Sequence, residues 1–205
     1  MKILVACEYS GVVRDAFIAS GHDAMSCDLL PTEKTGPHYQ GDVRDVLNGD
    51  WDLMIAHPPC TYLSVSGIHW NDRGRGWNET EKALAFFKTL LDAPIPKIAI
   101  ENPVGIVSSR IRKPDQTIQP WQFGEDASKA TCFWLKDLPR LTPTSYAKPR
   151  IIDGNRRFSN QTNSGQNRLP PGPDRWKERS RTYPGIAAAM AAQWGREFEM
   201  YREAA

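Results

Sequence analysis

Pro58-Pro59 follows directly on the apolar run 51–56, and this junction constrains the fold more than any other feature of the chain. A continuous apolar run of that length reads as a buried strand. Proline cannot continue a central ladder, so the chain must turn there. Cys60 is thereby set at the carboxyl end of a strand, the edge at which open α/β sheets bind ligands. A second such end lies where the run 97–100 meets Glu101-Asn102-Pro103. A nucleophile and a carboxylate at the ends of two apolar strands describe an active site.

The rest of the chain repeats this alternation. Strand-like runs at 3–7, 22–28, 51–56, 97–100 and 131–135 are interleaved with helical patterns at 11–20 and 79–91. The first pattern puts Val12, Val13, Ala16 and Phe17 on one face, and the second Leu84, Phe87, Leu90 and Leu91. The tail, 183–205, reads as a C-terminal helix with Pro184 in its first turn, where a missing N–H costs nothing. The pattern predicts an α/β protein with a Rossmann-like, doubly wound, mostly parallel sheet. At 205 residues a single domain spanning 1–205 is expected. There are no internal repeats.

No apolar run approaches the ~20 residues that span a membrane. The first residues read as a strand rather than a signal peptide. The cysteines at 7, 27, 60 and 132 and the histidines at 22, 38, 57 and 69 lack metal-ligand spacing, so a reduced, cytoplasmic protein without a metal is expected. Cys7, Cys27 and Cys132 lie in apolar strands and read as core, as do Phe86, Phe87, Phe133 and Trp134. His57 stands apart because it immediately precedes the diproline.

Net charge is only +2, but residues 140–182 carry ten Lys/Arg against three acidic residues, a local +7. The stretch is rich in Pro, Gly, Asn and Ser and reads as a loop-rich insertion. Phe158, Trp176 and Tyr183 are interspersed with its cations. Cations neutralise phosphates and rings stack on bases, so a nucleic acid or nucleotide is the expected partner.

Cys7-Glu8-Tyr9-Ser10-Gly11 forms the first strand-to-helix turn. A doubly wound sheet binds an adenosine-type cofactor over such a turn, which makes Cys7, Tyr9, Ser10 and Gly11 candidates for cofactor contact. Asp28, closing the second strand, is placed for ribose hydroxyls, and Asp42 for an adenine amino group. The chain has neither G-x-G-x-x-G nor a P-loop, which argues against NAD and ATP.

With these residues in view, the chain resembles the DNA (cytosine-5)-methyltransferases. The segment Pro59-Cys60-Thr61-Tyr62-Leu63-Ser64-Val65-Ser66-Gly67 is similar to that family's Pro-Cys-Gln-x-Phe-Ser-x-Ser-Gly loop. Glu101-Asn102-Pro103 resembles its Glu-Asn-Val, and Gly41-Asp42-Val43 its Gly-Asp-Ile. Phe123-Gly124 with Lys129-Ala130-Thr131 is similar to a later segment with paired arginines, and residues 180–194 sit where the family has its last motif. Two departures stand out. The first loop keeps only the last glycine of Phe-x-Gly-x-Gly, and only residues 140–182 remain for target recognition.

The resemblance implies the fold of S-adenosylmethionine-dependent methyltransferases, with S-adenosylmethionine as cofactor and Pro58 beside it. It also implies cytosine in DNA as substrate, with a free nucleotide or RNA left open. Cys60 would add to C6 of the base, Glu101 would hydrogen-bond N3 and the amino group, and Lys129 would contact the base carbonyl or a phosphate. Two other readings stand beside this one. His57-Pro58-Pro59-Cys60 is a distant match to the Asp/Asn/Ser-Pro-Pro-aromatic loop of exocyclic-amine methyltransferases. The reduced glycine loop also suits a catalytically inactive relative that binds nucleic acid. A dimer is one way for so short a chain to gain DNA contact.

Overall fold

The computed structural model describes the backbone of residues 1–203 and the side chains of residues 1–195. In chain order the elements are β1 (Lys2–Ala6), α1 (Val12–Ala19), β2 (Asp23–Asp28), β3 (His38–Gln40), β4 (Leu53–Ala56), α2 (Val65–Ile68) and α3 (Asn78–Leu91). Then come β5 (Lys97–Pro103), α4 (Val107–Arg110), β6 (Gln116–Ile118), β7 (Thr131–Lys136), β8 (Arg150–Ile152), β9 (Asn155–Arg157), α5 (Arg175–Ser180) and α6 (Pro184–Glu203). The expected C-terminal helix is α6, and residues 204–205 lie outside the described residues.

Seven strands form one sheet in the order β3-β2-β1-β4-β5-β7-β6. β3, β2, β1, β4 and β5 are parallel, while β7 runs antiparallel to both β5 and β6. This is the expected Rossmann-like, mostly parallel sheet. Alternate residues of each central strand face opposite layers. Ile3, Val5, Leu53, Ile55 and Phe133 pack with α1 and α6, whereas Leu4, Met54, Ile98 and Trp134 pack with α3. Trp134 meets Phe87 edge-on at 5.1 Å between ring centroids, and Phe133 meets Trp194 at 5.8 Å. Burial on both faces is why these strands read as continuous apolar runs.

Several boundaries differ from the sequence reading. β5 does not stop at Ile100 but continues through Glu101 and Asn102 to Pro103, because β7 pairs with all three. Cys7 lies one residue beyond β1, with φ of 57°. Residues 140–182 are not only loop: they contain the β8–β9 hairpin and α5. The hairpin turns on Asp153 and Gly154, both at positive φ, the geometry a tight two-residue turn needs. Phe158 is buried and stacks on Trp121 at 5.9 Å, so it is no free platform for a base, while Trp176 is exposed. Tyr183 is half-buried.

One core residue was invisible to the periodicity. Arg14, on α1, is completely buried, and its guanidinium donates to Ser26 Oγ, Thr32 Oγ1 and the carbonyls of Lys34 and Thr35. It therefore ties the loop after β2 to α1. Replacing it by leucine leaves those carbonyls without their donor. Arg14→Leu is expected to lower the unfolding free energy by about 3 kcal/mol, read as a shifted urea midpoint.

Candidate active site

The chain winds outward from β1 through β2 to β3, then returns to place β4 and β5 on the other side of β1. The order thus reverses between β1 and β4, and a crevice opens at their carboxyl ends. Ala6 and Ala56 are paired as the last residues of the two strands, so the loops that diverge from that crevice are 7–11 and 57–64. Both were candidates from the sequence, and the sheet brings them side by side.

The first loop is built around Glu8, which the sequence reading passed over. Its buried carboxylate accepts from Val13 N–H at 2.7 Å, Arg14 N–H at 3.3 Å and Ser10 Oγ at 3.1 Å. It thus satisfies free donors at the start of α1. Gly11 has φ of +70°, and a Cβ there would lie 2.5 Å from Arg14 Nη2. Only glycine suits that position. The Tyr9 hydroxyl turns toward α5, 3.0 Å from both Lys177 O and Ser180 Oγ.

The second loop holds the cysteine. His57 N–H donates to Ala6 O, extending the parallel ladder by one residue before the diproline. Pro58 O then accepts from the buried Asn102 side-chain amide at 2.9 Å. Cys60 is exposed, and its carbonyl accepts from the N–H groups of both Leu63 and Ser64. Ser64 Oγ accepts from Gly67 N–H at 3.2 Å and caps α2. A Cβ at Gly67 would stand 1.9 Å from Thr61 O, and one at Gly105 2.0 Å from Leu63 O. The two glycines let the cysteine loop fold tightly on itself and against the turn after β5.

Glu101, on β5, turns its carboxylate toward this loop, with Oε2 3.3 Å from His57 Nδ1. Lys129, just before β7, lines a shallow, solvent-open pocket with Glu101 and with Tyr183, Ile186 and Met190. Its ammonium donates to Arg179 O at 2.9 Å. Charges here act on one another. Although Cys60 reaches solvent, the protein crowded around it desolvates the thiol and pushes it up; Glu101 adds to that push, while Lys129 and Arg179 pull it back, leaving it above the ordinary value. Burial would raise the Glu101 carboxyl, but Lys129 and the His57 hydrogen bond outweigh it and hold it below the ordinary value.

Cys60, Glu101 and Lys129 are therefore brought together, with Tyr9, Ser10 and Gly11 on the neighbouring strand end. Cys7 is half-buried, and burial, with Asp28 next, drives its thiol far above the ordinary range, which suits an inert thiol. Asp28 closes β2; burial raises its carboxyl, and it accepts from Leu30 N–H at 2.9 Å. Asp42 follows β3 and is engaged by Arg44, through both the side chain and the backbone N–H, which lowers it to about 2. The sequence reading did not assign Asn102, Glu8 or α5 to the site. Asn102 had the clearest signal, a polar residue beside Glu101 at the end of an apolar run. Among the described residues no group of three His, Cys, Asp or Glu could hold a metal, and no helix is long and apolar enough to cross a membrane.

These electrostatics predict opposite effects from two substitutions. Glu101→Gln removes the charge that opposes the thiolate and speeds Cys60 alkylation by iodoacetamide at pH 8. Lys129→Met removes a favourable charge and slows it. A change of about threefold in each direction is expected, measured by peptide mass mapping. Gly67→Ala is expected to displace the cysteine loop, seen as altered protease sensitivity between residues 60 and 70.

No protein-family profile matches the sequence, and no curated protein does either. Solved structures similar to this chain include one described as a candidate DNA modification methyltransferase encoded within an E. coli prophage. Its TM-score is 0.49 at 15% identity, covering 75% of this chain and 53% of that one. The S. pombe Dnmt2 methyltransferase gives 0.42 at 17% identity, with 66% and 48% covered. A substituted DNMT2 of Spodoptera frugiperda gives 0.40 at 18% identity, with 78% and 58% covered. The chain spans about half the length of these proteins.

Proposed function

We propose that this protein transfers a methyl group from S-adenosylmethionine to C5 of cytosine in DNA, through a covalent bond between Cys60 and C6. The observation that carries the reading is the meeting of Cys60, Glu101 and Lys129 at the carboxyl ends of β4 and β5 and the start of β7, next to the crevice that the 7–11 loop borders. The surroundings fit an adenosine-type cofactor. Asp28 closes the strand next to β1, and Gly11 opens the turn above it. Two buried polar atoms, His57 Nε2 and Asn102 Oδ1, have no partner and lie at the ends of β4 and β5. Asp28 and the 7–11 loop would hold the adenosine, with Pro58 lining the crevice. Once bound, the cofactor supplies an electrophilic methyl group.

Cytosine C5 is too weak a nucleophile to take that methyl unaided. Addition of the Cys60 thiolate forms the S–C6 bond and moves the C5–C6 π pair toward C5, which could then take the methyl as the cofactor's S–CH3 bond breaks and its sulfur keeps the electron pair. Loss of the C5 proton to water would restore the double bond and expel the thiolate. Glu101 hydrogen-bonds N3 and the exocyclic amino group, stabilising charge that develops in the ring. Lys129 contacts the base carbonyl or a phosphate and also favours the thiolate. In a duplex the base leaves the stack to reach Cys60, at a cost of a few kcal/mol.

DNA is preferred to a free nucleotide because of the cation-rich segment 140–182. Among its described residues, Arg150 and Arg168 donate to backbone carbonyls rather than to acids. The expected consequence is salt-sensitive binding, with DNA affinity falling about 100-fold between 50 and 200 mM salt.

The decisive experiment incubates the protein with S-adenosylmethionine and DNA carrying 5-fluorocytosine. Fluorine cannot leave as a proton does, so the expected result is a stable adduct that maps to Cys60 and is lost in Cys60→Ser. Methyl groups found on N4 or N6 instead would favour the exocyclic-amine reading. DNA binding without cofactor binding would favour the inactive one.

A further inference from the structure

We infer that His57 is a positioning residue that acts through Glu101, supplying the proton N3 of the base must gain when Cys60 adds to C6. The inference rests on the cytosine reading above. The pair is deeply placed, the His57 and Glu101 side chains being only 6% and 14% exposed, with Nδ1 3.3 Å from Oε2. His57 belongs to the strand end itself, since its N–H bonds Ala6 O and the diproline follows at once. The backbone that carries the imidazole is therefore fixed to the strand end that launches the cysteine loop.

The chemistry requires a proton here. Cytosine presents an acceptor at N3 and a donor at its amino group, whereas a carboxylate only accepts. An ionised Glu101 matches the amino group and opposes the N3 lone pair. Lys129 and the His57 hydrogen bond both favour that ionised form. A proton held on His57 resolves the conflict. As the S–C6 bond forms, the proton on Nδ1 passes to Oε2 of Glu101, and Glu101 gives a proton to N3. The negative charge brought by the thiolate is neutralised on the ring, Glu101 ends as it began, and His57 ends neutral. When Cys60 is expelled, N3 returns its proton by the same path. The charged and titratable groups that bear on the pair are Lys129 before β7, Cys60 on the loop after β4, and Cys132 on β7.

His57→Asn and His57→Leu separate this role from a structural one. Asparagine can still donate toward Glu101 Oε2 but has no proton to transfer, and leucine can do neither. Both variants are compared with wild type for methyl transfer and for the rate of adduct formation on 5-fluorocytosine DNA, across pH. Expected for both is a kcat lower by roughly 100-fold with KM for DNA within a few-fold of wild type. The wild-type rate rises with pH as Cys60 ionises, and the His57→Asn rate stays about 100-fold lower across that range. A His57→Asn protein with wild-type kcat would overturn the inference while leaving the Cys60 chemistry intact. An absence of adduct in wild type would overturn both. A readout independent of turnover is the imidazole nitrogen NMR spectrum, in which Glu101→Gln must shift the His57 Nδ1 signal; no shift would also overturn the inference.

Discussion

The hydrogen bond from the Asn102 amide to Pro58 O is the contact on which the site's geometry depends. Two consecutive prolines remove two backbone donors, so the chain leaving β4 cannot be held by the ladder that holds the strand itself. Their carbonyls still accept, and the nearest strand end is that of β5. Asn102 occupies that end because β7 carries the pairing of β5 beyond its apolar part. The antiparallel β7 therefore extends β5 until Glu101 and Asn102 face the cysteine loop. From one strand end, then, Asn102 fixes the loop and Glu101 addresses the chemistry.

The same geometry creates an electrostatic opposition. Glu101 favours the neutral form of Cys60, and Lys129 favours the ionised form of both. In the free protein the carboxyl is the group that ionises readily and the thiol the one that stays protonated. A nucleophile restrained in this way is sheltered from adventitious oxidation and alkylation, since thiolate fraction governs both. In the proposed reaction a proton on Glu101 would relieve the opposing field, which would couple the seating of a base to thiolate formation through one carboxylate.

What the sequence disclosed follows from which forces leave a pattern. The central strands are buried on both faces, so β1, β4, β7 and the apolar half of β5 were legible as continuous runs, and the diproline located the crevice. Edge strands β3 and β6 span three residues each and leave little periodicity. The end of β5 was misread because Glu-Asn-Pro looks like a turn, and its pairing depends on a partner about thirty residues away. The β8–β9 hairpin did carry a local signal, Asp153-Gly154, hidden in a stretch whose charge and loop composition dominated the reading. Arg14 could not have been found, because a guanidinium completely buried among carbonyls and hydroxyls has no hydropathic signature. His57 was conspicuous by its place before the diproline, but its pairing with Glu101 spans 44 residues and exists only in the folded sheet.

The cation-rich segment is tied to the site at three points, and this bears on how a polymer could be recognised if the proposed function holds. Tyr9, from the loop after β1, bonds Lys177 O; Lys129 bonds Arg179 O; and Arg181 pairs with Glu33, after β2, through two nitrogens. α5 therefore reaches both sides of the crevice, contacting the cofactor-side loop with its backbone while Trp176 faces solvent. Arg179 also bears electrostatically on Cys60. A phosphate drawn to these cations would withdraw part of the positive field that favours the thiolate, whereas a base seated on Glu101 would relieve the field that opposes it. If the proposed partner is bound, a polyanion without a base in the crevice would leave Cys60 less reactive, and a seated base would restore it. The contacts of α5 would then make the thiol sensitive to whether a bound strand had delivered its base.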